Sequence, residues 1–66
     1  MYILNDKAKF LLEQYKLKVV AERVGMNYRN LSSMINHNKP CIKITAYAIT
    51  KFLDKDLEIN DLFDRA

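Results

Sequence analysis

The side chains best suited to chemistry crowd into one stretch of this chain. Asn27, Tyr28, Arg29, Ser32, Ser33 and Asn36 lie close together, with Lys18 before them and Asn38, Lys39 and Lys43 after them. At helical spacing, positions 28, 29, 32, 33 and 36 share one face, opposite Leu31 and Met34. That face offers a guanidinium, a phenol, two hydroxyls and an amide. These groups recognise a partner by hydrogen bonding and make or break no covalent bond. Arginine adds a planar fork that can meet two acceptors at once.

Other chemistries find no support. His37 and Cys41 have a His-x3-Cys spacing, but no second ligand pair exists to close a metal site. One histidine, one cysteine and scattered acids offer no positioned nucleophile and base. The carboxylates of the tail read as a solvated face, and a single glycine cannot build a phosphate-binding loop. No enzyme, metal, cofactor or small-molecule ligand is expected.

The charge has a direction along the chain. The net charge is +3, but it is unevenly spread. From Lys16 to Lys43, six basic residues, Lys16, Lys18, Arg23, Arg29, Lys39 and Lys43, face only Glu22. In the tail Asp54, Asp56, Glu58, Asp61 and Asp64 outnumber Lys51, Lys55 and Arg65. A basic middle beside an acidic tail suits a polyanionic partner on one face. Half the residues are apolar, which supports a packed core and argues against disorder. At 66 residues the chain makes one domain, residues 1–66, burying only about 60% of its unfolded surface. Cys41 has no partner for a disulfide, which points to the cytoplasm. No apolar run is long enough to span a bilayer, and the first residues lack the pattern of a signal peptide.

The elements that must position these residues are helical nearly throughout, an all-α pattern. Asn5 or Asp6 can cap a first helix running to about Tyr15, with Ala8, Leu11, Leu12 and Tyr15 as its apolar stripe. A second helix covers about 18–24, turning Val20, Ala21 and Val24 inward. Gly25 ends it, since glycine alone enters left-handed space without steric penalty. Asn27 caps a third helix over about 28–36, anchored by Leu31 and Met34. After the polar break His37–Pro40, a fourth helix runs from Ile44 or Thr45 to Leu53. Asp54–Asp56 is a turn, and a short fifth helix spans Ile59 to Phe63. Met1 to Leu4 has room for a short extended arm.

Ala21, Gly25 and Met26 make a small residue at a close helix approach, a sharp turn and a corner plug. With them the chain resembles the Cro/repressor-type (XRE-like) helix-turn-helix family. Asn38-Lys39-Pro40-Cys41-Ile42 resembles that family's break after the recognition helix, and Ile59-Asn60-Asp61-Leu62-Phe63 resembles its closing helix. The resemblance covers roughly residues 5–63. It implies a compact five-helix, lambda-repressor-like domain with the helix-turn-helix at helices 2 and 3. By position it makes Tyr28, Arg29, Ser32 and Ser33 base readers in the major groove. Lys18, Asn27, Asn36, Asn38, Lys39 and Lys43 become contacts to the DNA backbone. Two positions depart from the pattern. Where the family often carries a glutamine pair, this chain has Leu17 and Tyr28, so its mode of reading must differ. The segment from Leu53 to Leu62 is also longer than usual.

The expected function is sequence-specific binding of a double-stranded DNA operator by a small transcriptional regulator. A repressor of phage, mobile-element or bacterial-operon type fits best. The alternative is a helix-turn-helix module, antirepressor-like or antitoxin-like, that binds a protein partner; a hydrophobic outer face on the third helix would favour it. One recognition helix spans half a site, so a homodimer is expected, in solution or formed on DNA. The candidate patch for it is Leu57, Ile59, Leu62 and Phe63.

Overall fold

The computed structural model covers residues 1–66, and its elements follow from local side-chain chemistry. Asn5 is extended, and its Oδ1 accepts from the Ala8 amide at 2.9 Å, which starts α1 (Asp6–Leu12). The same side chain donates to the Asp61 carbonyl at 2.9 Å, so one amide caps a helix and ties it to the far end of the chain. α1 stops earlier than its periodicity predicts. The Gln14 and Tyr15 amides reach back only three residues, to Leu11 and Leu12, the tightening common at helix ends. Tyr15 leaves the apolar stripe and sets its ring edge-on against Phe52 at 5.2 Å.

α2 (Leu17–Val24) buries Val20 and Ala21. Gly25 follows at φ 81°, ψ 38°, and the amides of Gly25 and Met26 both close on the Ala21 carbonyl, at 2.8 and 2.9 Å. A Cβ at Gly25 would meet no heavy atom within 4 Å. The demand for glycine is therefore purely conformational. Gly25→Val is expected to lower stability by about 1–2 kcal/mol through left-handed strain alone, read as a lower denaturation midpoint. An unchanged midpoint would mean that the turn relaxes without glycine.

Asn27 caps α3 (Tyr28–Asn36) by accepting from the Arg29 amide at 2.7 Å, and Leu31 and Met34 fasten the helix to the core. The chain then turns through Asn38 at φ 53°, a left-handed conformation that asparagine tolerates. α4 (Lys43–Leu53) buries Ala46, Ile49 and Thr50. The Thr50 hydroxyl is satisfied by donating to the Ala46 carbonyl at 2.8 Å. Lys51 Nζ holds the next turn by donating to the carbonyls of Lys55 and Leu57 at 3.1 and 2.9 Å. α5 (Ile59–Leu62) starts with a reciprocal cap between Glu58 and Asp61.

The all-α expectation needs one correction. Tyr2–Leu4 forms β1 and Phe63–Arg65 forms β2, paired antiparallel with Leu4 opposite Phe63 and Tyr2 opposite Arg65. Phe63 thus opens a strand and does not close the fifth helix. Cys41 bridges the other edge of β1, with Tyr2 and Cys41 exchanging amide–carbonyl bonds of 2.8 Å. Around this small sheet the helices enclose one apolar core that includes Leu4, Leu12, Val20, Leu31, Ile49, Leu62 and Phe63. No helix is long and apolar enough to cross a membrane.

Candidate nucleic-acid interface

Residues 27–36 place their polar groups as a band opposite the buried side chains. Asn27, Tyr28, Arg29, Asn30 and Asn36 are exposed, while Ser32 and Ser33 are half-buried between them. Arg29 is exposed and, by helical spacing, stands opposite the buried Leu31 and Met34 on α3. Asn36 Nδ2 donates to Ser32 Oγ at 3.1 Å, one turn away. That bond occupies one lone pair of the hydroxyl and leaves its proton free to donate outward.

Two contacts join this band to its neighbours. On one side, Lys18 Nζ of α2 lies 5.8 Å from the centre of the Tyr28 ring, over its face, an attractive cation–π arrangement. The beginnings of α2 and α3 thereby form one continuous surface. Leu17, at the other position where a glutamine might stand, is half-buried and packs on the core. No side chain caps α2, so its first amides remain available to an anion alongside Lys18. On the opposite side, Lys39 Nζ donates to Asn30 Oδ1 at 3.0 Å. This holds an ammonium against the flank of α3.

The remaining expected backbone contacts are arranged differently. Asn38 Oδ1 accepts from Lys9 Nζ of α1, so Asn38 serves to hold the loop and brings a further ammonium to it. Lys43 is exposed at the start of α4. It lines a groove with Tyr2, Tyr47, Lys51 and Glu58, residues of β1, α4 and the start of α5. Of the ten residues expected to meet nucleic acid, eight gather around α2 and α3: Lys18, Asn27, Tyr28, Arg29, Ser32, Ser33, Asn36 and Lys39. Asn38 is engaged by α1, and Lys43 belongs to another surface.

Sequence reasoning passed over Asn30 and Lys9. Asn30 had a readable signal, since it sits on the flank of α3 between Asn27 and the buried Leu31. Lys9 had none, because its neighbour Asn38 is remote in sequence. The apolar tail patch does not exist as a surface: Leu62 and Phe63 are core, and Leu57 and Ile59 are half-buried against it. The larger exposed apolar side chains are elsewhere, among them Phe10, Ile42, Ile44 and Tyr47. Comparison of the chain with protein-family models, curated proteins and solved structures finds no match.

Proposed function

We propose that this chain binds duplex DNA sequence-specifically as a small transcriptional regulator of repressor type, through a helix-turn-helix formed by α2 and α3. The observation that carries the reading is the outer face of α3. It is polar, headed by Arg29 and Tyr28, and flanked by Lys18 and Lys39. A helix so fastened by its inner side chains can enter a major groove as a rigid unit, with the start of the helix deepest.

Within that reading each group has a task. Arg29 forks to the acceptors of a guanine edge, and Ser32 and Ser33 bond to bases or to phosphate. Tyr28 packs on a thymine methyl or gives its hydroxyl to a phosphate, with Lys18 beside it. Lys18 and the first amides of α2 hold the backbone on one side. Lys39 and Asn36 hold it on the other, and these contacts set position without reading sequence. The rival module, which docks a protein through α3, would need an apolar face there. Exposed apolar side chains do occur, at Ile42, Ile44 and Tyr47 on and before α4 and at Val19 on α2, but on α3 itself Tyr28 alone is of this kind and it stands among polar neighbours.

Selection of bound sequences from random duplex DNA tests the reading. Enrichment of a site with two-fold symmetry is expected, its halves one helical turn, about 34 Å, apart. Such a site would also establish that two copies bind together. Failure to enrich any sequence would overturn sequence-specific binding.

A further inference from the structure

α4 has two faces, and the core accounts for only one of them. Ala46, Ile49 and Thr50 are buried on the inner side. Ile44, Tyr47, Ala48 and Lys51 follow at i, i+3, i+4 and i+7, one stripe on the opposite side. Ile44 is 77% exposed, the most of any large apolar side chain, and Tyr47 is 55% exposed. Ala48 and Lys51 are half-buried. The Lys51 ammonium is held by the carbonyls of Lys55 and Leu57, so its stem is what it adds to the stripe. Ile42, exposed just before the helix, extends the apolar surface. Single apolar residues at a surface are ordinary, whereas a run of them marks an interaction site.

We propose that this stripe pairs with the same stripe of a second copy, the two α4 helices lying antiparallel about a two-fold axis near Tyr47 and Ala48. Size and charge both select that occupant. Antiparallel pairing sets Tyr47 of each copy against the small Ala48 of the other, and Ile44 against the flexible stem of Lys51, as a self-complementary contact requires. Lys43 and Asp54 are both exposed, at opposite ends of α4, and helical spacing puts them on the same flank of the stripe. The two-fold axis brings Lys43 of each copy beside Asp54 of the other. Lys43 sits at the start of its own helix, where the dipole opposes a cation, and the end of the second copy's helix favours one. A partner of a single charge would satisfy only one end of this surface. A stable dimer buries about 800 Å² on each copy, roughly a sixth of the 4568 Å² that the chain exposes. One short stripe covers less, so the dimer is weak and the dilute chain is monomeric. Neighbouring half-sites would raise the local concentration and favour it. That consequence rests on the proposed function, but the contact itself does not.

The test therefore begins without DNA. Sedimentation of the whole chain from about 10 μM to 1 mM, the range suited to a small interface, should show a monomer–dimer equilibrium. Each copy carries any substitution, and burying one large apolar side chain is worth about tenfold or more. Ile44→Lys and Tyr47→Lys should each raise the dissociation constant by at least that factor. Both positions are exposed, so their melting should match the parent. Phe10→Lys, on α1 outside the stripe, should leave the equilibrium unchanged. On dilution, the amide resonances that shift should lie between Lys43 and Asp54. A parent that stays monomeric throughout, or a Phe10→Lys effect equal to that of Ile44→Lys, would overturn the proposal. So would shifts confined to another surface, or a stripe that answers only to a different protein. A symmetric DNA site bound by a chain that never self-associates would remove this contact and leave the proposed function standing.

Discussion

Raising salt from about 50 to 200 mM is expected to weaken DNA binding by about 250- to 1,000-fold per bound subunit. If the proposed interface makes roughly 4–6 phosphate contacts, each releases close to one counterion and log K falls with log salt at a slope of about −4 to −5. Lys18, Lys39 and the first amides of α2 are the groups placed for this. Lys39→Ala should make the slope shallower by about one unit and leave the preferred sequence unchanged. Lys43→Ala is the control, because Lys43 lines a groove with Tyr47 and Glu58 and should change the slope little. Equilibrium titrations across a salt series measure all three proteins. A flat salt response would contradict phosphate binding, and equal effects of the two lysines would contradict the assigned surface.

Phe63→Ala is expected to leave most of the protein unfolded. Phe63 is 2% exposed, packs edge-on to Tyr2 with ring centres 6.4 Å apart, and carries the register that joins the two chain ends. Truncating a buried aromatic costs about 3–5 kcal/mol. A domain of this size rarely has more than about that amount in total. Phe10 supplies the contrast. It is 63% exposed on α1, and Phe10→Ala should shift stability by at most about 0.5 kcal/mol. Chemical denaturation of both variants, followed by circular dichroism, separates the two cases. Comparable midpoints would mean that β2 and its pairing with β1 contribute little to the fold.

That pairing marks the limit of what local sequence reveals. The helix boundaries that rest on side-chain chemistry within a few residues were legible: Asn27 as a cap, Asn5 as one of two candidate caps with Asp6, Gly25 as a left-handed stop, Asp54–Asp56 as a turn. β1 and β2 have three residues each, too few to show an alternating pattern. Each exists because the other lies beside it, and the contact joins opposite ends of the chain. The same distance explains Phe63, which reads as the last turn of a helix from its neighbours alone. Tyr15 fits its apolar stripe in sequence, yet the helix tightens before reaching it and the ring finds Phe52 instead.

The candidate site divides along the same line. Residues on α3 share a face because helical geometry orders them, so Tyr28, Arg29, Ser32, Ser33 and Asn36 were readable together. The proximity of Lys18 to Tyr28 and of Lys39 to Asn30 follows from how the turn and the break fold back, which spacing alone suggests only in outline. Lys43 was misleading for a different reason. It closes the basic stretch of the sequence, but it opens α4, whose polar face looks toward α5 and β1. Charge runs are linear in sequence, whereas surfaces are not.

The central claim, that α3 reads bases through Arg29, is tested most directly by comparing parent and Arg29→Ala on the selected site and on random duplex DNA of equal length. A guanidinium fork to guanine carries about 1–3 kcal/mol of discrimination. A loss of about 5- to 150-fold is expected on the selected site. On random DNA the loss should be no more than that of one phosphate contact, and preference at one base pair per half-site should disappear. Equal losses on both DNAs would contradict the claim and make Arg29 a clamp on the backbone.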